Sequence, residues 1–195
     1  MKFHRSRGVA LALSDIAAGK PEAAAIVVRG IVLDPDSAVT ADTAASSYVL
    51  LLIAKARGEA VPDGILAAVR AQLTPDQVAD QEKTALAQWL AADGADQKDR
   101  ESEAIDARDW AALRNLALDY YEGAGVPRNV TRAFTFASVA AAGGDRIAST
   151  LRNDLLTGLR DKRLAFSPSV ARLDADAIWQ TIVTAAAEPE APVAP

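Results

Sequence analysis

Two helix-start signals of the same kind occur in the two halves of this chain. A hydroxyl residue followed by proline stands at positions 74–75 and again at 167–168, and a tryptophan follows each pair, at Trp89 and Trp179. A capping hydroxyl before a proline in the first turn is typical of a helix N-terminus. The order of these signals indicates an internal duplication, and we expect both tryptophans to be core residues.

Two glycines support the same duplication. Gly58 and Gly144 stand 86 positions apart, and each closes an apolar helical segment and precedes an acidic residue. At that offset the aromatic Tyr48 matches Phe134. Chance matches between alanines mean little in this chain, but aromatic and glycine matches in the same order carry weight. The pattern predicts two related helical halves.

Composition narrows the fold class to all-α. Alanine accounts for 44 of the 195 residues and aromatic residues for only 5%, which favours thin, closely packed helices. The 50% hydrophobic content and the net charge of −5 exclude a disordered chain. The acidic balance argues against nucleic-acid binding. No apolar run approaches the ~20 residues of a membrane span.

Helix-stop signals and charge runs divide the chain into four segments. We expect an N-terminal helix and a first repeat half over 1–92, a charged linker over 93–103, a second half over 104–187 and a mobile Pro-rich tail over 188–195. The linker is predicted from its high density of charged residues between two apolar helical segments. The start of the chain has too short an apolar stretch for a signal peptide.

The second half contains the most specific pattern. Between Ala111 and Asp145 the sequence predicts a helix, a turn and a second helix, with small residues, leucine, tyrosine and glycine at characteristic positions. The positions that match are Ala112, Leu116, Tyr120, Gly123, Gly125, Val126, Ala133, Phe136, Ala140, Ala141 and Gly144. In this pattern the segment resembles a Sel-one-like repeat, a helical-hairpin relative of the tetratricopeptide repeat. The segment departs from the family pattern mildly at two positions. Ala117 stands where a glycine is usual, and Asn129 stands where an aspartate is usual.

The resemblance implies an α/α helical-hairpin solenoid. We expect about nine helices, four in each duplicated half and one at the N-terminus. The apolar stripes on both sides of the helix around Leu116 agree with a sandwiched helix. Gly123 and Gly125 are expected at positive φ, because the chain must reverse within a few residues. The first half matches only in its second helix and is a degenerate repeat.

No catalytic or metal-binding constellation is recognisable. His4 is the only histidine and cysteine is absent, so neither an ordinary zinc site nor a serine–histidine triad can be built. The acidic pair Asp93 and Asp96 lacks the later bidentate glutamate of a calcium loop. Glu101 and Glu103 are interpreted as solvated carboxylates. We therefore predict no enzyme, no cofactor and no metal.

The resemblance implies a protein-interaction module, an adaptor or scaffold of bacterial type that presents a groove to a partner protein. The partner-binding candidates are four residues outside the apolar stripes, Arg114, Asn115, Leu118 and Asp119. An ordinary solvated surface explains each of them equally well. Two alternatives stay open, a structural subunit of a larger envelope or motility assembly and a protein that regulates or inhibits an enzyme.

These interpretations lead to expectations about partners and location. We expect a protein partner, no nucleic acid, no membrane insertion, and either a monomer or a subunit of a hetero-complex. The absence of a convincing export signal favours the cytoplasm, with the periplasm as an alternative.

Overall fold

A computed structural model describes residues 41–187 except Asp93, together with Leu11, Ala12, Ser14, Asp15 and Gly30. The described part contains eight helices and no strand, which confirms the all-α prediction. The helices are α1 (Ala41–Ala56), α2 (Asp63–Arg70), α3 (Pro75–Ala92), α4 (Ala95–Asp106), α5 (Trp110–Glu122), α6 (Val130–Ala142), α7 (Arg146–Arg160) and α8 (Pro168–Ala187).

Two sequence predictions fall mostly or wholly on residues that are not described, the N-terminal helix and the tail over 188–195. His4 also lies outside the described residues. No helix in the described part of the chain is long and apolar enough to cross a membrane.

Local signals set most helix ends. Thr74 forms a capping box at the start of α3, because its hydroxyl accepts from the N–H of Gln77 and the Gln77 side chain accepts from the N–H of Thr74. Asp109, Asn129 and Asp145 cap α5, α6 and α7 with their side-chain oxygens. Each cap satisfies backbone donors that a helix leaves without internal partners.

Gly58 and Gly144 end α1 and α6 in the same way. Their φ angles are +81° and +101°. In both, the glycine N–H donates to the carbonyl three residues earlier, and the N–H of the next residue donates to the carbonyl five residues before it. This is the double hydrogen bond of a Schellman cap, which requires a left-handed residue at the glycine position.

The predicted linker over 93–103 needs a correction, because most of it is helix α4. Gln97, Glu101 and Ala104 are buried on one side of this helix, at spacings of four and three residues. The buried stripe has only one apolar member, so hydropathy alone hides it. Helix α4 ends before α5 begins, and Arg108 between them adopts a φ of +52°.

Helix α6 is the centre of the second half. It packs against α5, α7 and α8, and its buried side chains include Phe134, Phe136 and Val139. Phe136 stacks on Tyr120 of α5 with ring centroids 5.8 Å apart. The apolar face of α6 continues around most of the helix, which is typical of a helix enclosed by its neighbours.

A second core cluster forms around α1. This helix packs against α2 and α3, and residues Tyr48 to Ala54 are buried without interruption. Helix α3 joins the two clusters, because Ala85 belongs to the cluster around α1 and Leu86 to the cluster around α6. The tryptophans Trp89 and Trp179 pack, partly buried, against the first and second cluster respectively, in agreement with their prediction as core residues.

Candidate functional site

The predicted partner-binding residue Arg114 forms an ion pair inside the chain. Its Nη1 lies 2.9 Å from Oδ2 of Asp145, and the two side chains are only 22% and 10% exposed. The other oxygen of Asp145 accepts from the N–H of Ala148 and caps α7. Arg114 therefore connects α5 to the start of α7.

The other three candidates lie in different environments. Asp119 pairs with Arg100 of α4 at 2.9 Å. Asn115 is exposed and accepts a hydrogen bond from Arg114 at 3.4 Å, while Leu118 is half-buried. The two charged candidates thus connect helices of this chain to one another, and Asn115 is the most accessible of the four.

A concave cavity of about 510 Å³ lies between α2, α5 and α7. We call it the arginine cleft and define it by Arg70, Tyr121, Arg128, Leu151, Asp154 and Arg163, which are among the residues that line it. Tyr121 follows Arg114 by seven residues, so the cleft lies along the same side of α5 as that candidate. Sequence reasoning missed the cleft because its walls come from distant segments.

Arg128 is held rigidly at the wall of the cleft. Its Nε donates to the carbonyl of Tyr121 at 3.0 Å, and its Nη1 lies 2.8 Å from Oε1 of Glu82. The guanidinium carbon stands 5.7 Å from the centre of the Tyr121 ring, within the range of a cation–π interaction. Arg70, by contrast, makes no ion pair or hydrogen bond with any described residue.

Glu82 lies behind Arg128 and is almost fully buried. Its Oε1 also accepts from the hydroxyl of Tyr48 at 3.2 Å. Burial raises the pKa of Glu82, and the positive charge of Arg128 and the Tyr48 hydrogen bond oppose that rise. Burial also raises the pKa of Tyr48, helped by the nearby carboxylate. The three side chains join α1, α3 and the loop before α6.

A second group of the same composition lies between α4, α5 and α6. Glu101 accepts from the hydroxyl of Tyr120 and pairs with Arg132. Burial and the charge of Glu101 raise the pKa of Tyr120. Burial alone lowers the pKa of Arg132, but the hydrogen bond and charge of Glu101 outweigh it and raise that pKa. Glu101 is therefore not the solvated carboxylate that the sequence indicated.

Weak sequence signals mark both buried glutamates. Glu82 shares the apolar spacing of Val78 and Ala85, the positions four before and three after it. Glu101 stands three residues before Ala104, one of the few apolar residues of its segment. A carboxylate on the apolar stripe of a helix needs a partner, because an unpaired buried charge is costly.

The described residues offer guanidinium groups and an aromatic face to a ligand rather than a metal site. No group of three or more histidine, cysteine, aspartate or glutamate side chains in the described ranges could hold a metal ion. The arginine cleft instead combines Arg70, the ring of Tyr121 and Arg163, whose guanidinium also forms an exposed ion pair with Asp161 at 2.8 Å. Such a surface suits contact with a polar or acidic partner.

Comparison of the chain with protein-family models, with curated proteins and with solved structures finds no match. The part of the chain that the structure describes is all-helical, and a proposal for its function rests on these residues alone.

Proposed function

We propose that the chain is a non-enzymatic protein-interaction module, an adaptor or scaffold whose partner binds in the arginine cleft. The observation that carries the proposal is the concavity itself, about 510 Å³ between three helices. Its guanidinium groups and its tyrosine are residue types that are enriched at protein interfaces. Leu151, partly buried among the residues that line the cleft, adds apolar area that a partner side chain can cover.

The resemblance to Sel-one-like repeats supports the same proposal. In that arrangement α5 and α6 form one helical hairpin, α7 and α8 form the next, and α5 and α7 line the groove. The positive φ angles of Gly123 and Gly125, +73° and +69°, agree with the turn expected between the first two helices. The matching ends of α1 and α6 support the proposed duplication of the halves.

Charge reversal in the cleft tests this proposal. A photo-crosslinking amino acid at Tyr121 identifies the partner in extracts of the native cells, and the purified partner is then titrated against the chain. We expect the variant Arg70→Glu/Arg163→Glu to lose about tenfold or more in affinity, because charged pairs at an interface set orientation and strength. An unchanged affinity would place the partner elsewhere on the molecule.

A matched control exists on α7. Arg146 and Arg160 are exposed, lie outside the cleft and make no ion pair with any described residue. The variant Arg146→Glu/Arg160→Glu changes the net charge by the same amount, so it should keep the affinity within about twofold. Equal losses in both variants would indicate long-range attraction rather than a site in the cleft.

One observation favours the alternative of a structural subunit. The outer face of α8 exposes Val170 and Leu173, and Leu173 is 70% accessible. In a permanent assembly this face would be covered. Size-exclusion chromatography with light scattering distinguishes the two, because an adaptor stays monomeric alone, whereas an isolated subunit self-associates and Leu173→Lys relieves that association.

A further inference from the structure

A second cavity, of about 450 Å³, lies on another side of the molecule, between α6, α7 and α8. We call it the tryptophan cavity and define it by six of its lining residues, Phe134, Ser138, Arg152, Leu156, Arg172 and Trp179. Its lining shares no residue with the arginine cleft. A ligand in the tryptophan cavity would therefore not overlap a partner in the arginine cleft.

Two pairs of packed aromatic rings contribute to the apolar wall of this cavity. Trp179 packs against Trp110, with ring centroids 6.0 Å apart and an interplanar angle of 33°. Phe134 packs in the same manner against Phe166, at 5.3 Å. Each of the two lining rings therefore has a second ring packed against it. Flat aromatic surfaces of this kind favour a flat aromatic ligand.

Two arginines at the cavity have no partner among the described residues. Arg152 of α7 and Arg172 of α8 make no ion pair or hydrogen bond with the residues that the structure describes. The only lining carboxylate is Asp176, which forms no ion pair with either of them. The cavity therefore carries a net positive charge within an acidic protein. A guanidinium group pairs most favourably with a planar carboxylate.

Ser138 supplies a third polar group. Its hydroxyl oxygen is buried and has no hydrogen-bond partner in the described part of the chain. Most buried hydroxyls are hydrogen-bonded, and an unpartnered one at the wall of a cavity is a ready donor or acceptor for a ligand. The volume of about 450 Å³ falls within the range of small-molecule sites.

We propose that the tryptophan cavity binds a small aromatic carboxylate. The ring of the ligand packs against Trp179 and Leu156, and its carboxylate accepts hydrogen bonds from Arg152 and Arg172. The Ser138 hydroxyl donates to the same end of the ligand. Each of the three otherwise unpartnered groups thereby gains a partner, which is the physical reason for the proposal.

The test uses 2-naphthoate as the probe and the full-length chain. Binding is followed by the change in tryptophan fluorescence and by calorimetric titration. We expect saturable binding of one molecule per chain below about 1 mM. The neutral analogue 2-naphthylmethanol should bind at least about tenfold more weakly, because it has no carboxylate to pair with the guanidinium groups. Equal binding of the two probes, or no binding of 2-naphthoate, would overturn the proposal.

Variants locate the site. Arg152→Gln and Arg172→Gln should each weaken 2-naphthoate binding by about tenfold, whereas Arg160→Gln, on α7 but outside the cavity, should change it by less than about twofold. Unchanged thermal midpoints of all three variants establish that they fold. Affinity that is insensitive to both cavity arginines in folded variants contradicts the proposal, as does binding of inorganic phosphate with the strength of 2-naphthoate.

Discussion

The indole ring of Trp110 occupies the space that a side chain at Gly143 would need. A Cβ atom at that position would lie 2.2 Å from Cδ2 of Trp110, far inside any real contact distance. The φ of Gly143 is −73°, an angle that any residue adopts, so space rather than conformation requires the glycine. Trp110 begins α5 and Gly143 follows α6, so this contact closes one end of the antiparallel pair.

Gly143→Ala should lower the free energy of unfolding by about 1–3 kcal/mol, the usual cost of overpacking a core. The methyl group displaces Trp110, and the neighbouring Trp179 moves with it. Chemical denaturation measures the loss, and a shifted tryptophan emission spectrum reports the displacement.

Removal of the indole ring provides the control. In a Trp110→Ala background, Gly143→Ala should cost almost nothing, because the clash is gone. Gly125→Ala is the comparison: Gly125 has a φ of +69° and no atom within 4 Å of its Cβ position. Its cost, about 1–2 kcal/mol from backbone strain, should persist in both backgrounds. A full Gly143→Ala penalty without the indole would contradict the steric explanation.

Arg114→Gln should lower the free energy of unfolding by about 1 kcal/mol, because it leaves the mostly buried Asp145 carboxylate without its ion-pair partner. The sequence alone placed Arg114 on an exposed surface, where a replacement would cost little. Thermal denaturation of Arg146→Gln, an exposed neighbour of Asp145, supplies the matched control and should stay within about 0.5 kcal/mol of the unmodified chain. Equal effects would mean that the ion pair contributes nothing.

Glu101→Ala should be more costly, at about 2–3 kcal/mol. It leaves both Arg132 and the buried Tyr120 hydroxyl without their partner. The cost stays below that of a fully buried pair because the Arg132 side chain is 31% exposed. Glu103→Ala, an exposed change two residues along α4, should alter the urea midpoint little. Similar midpoints for the two variants would restore the interpretation of Glu101 as a solvated carboxylate.

Stability should decline at alkaline pH through Tyr48 and Tyr120. Burial raises the pKa of both phenols above the ordinary value of 10.0, so the unfolded chain releases these protons before the folded chain does. The stabilisation is therefore complete below pH 10 and is lost as the pH rises above it. Denaturant titrations from pH 8 to pH 11 should show a shallower decline for Tyr48→Phe/Tyr120→Phe. Parallel curves would place the alkaline loss on other groups.

The helix ends were largely predictable, since they depend on neighbours in the sequence. The capping box at Thr74 and the left-handed residues Gly58 and Gly144 act within one or two turns. Helix α4 was not predictable in this way. Its buried stripe consists of Gln97, Glu101 and Ala104. Because two of these three residues are polar, the sequence of the helix cannot be distinguished from that of a solvated segment.

The sequence by itself determined that this chain is helical, where most of its helices begin and end, and which glycines turn the chain. Tertiary structure decided which charges are solvated and which are paired. Glu101 and Glu103 are chemically identical and two residues apart, yet Glu101 is buried in an ion pair with Arg132 and Glu103 is exposed to solvent. Both cavities were decided in the same way, because their walls come from helices whose mutual packing is a long-range property that no local pattern encodes.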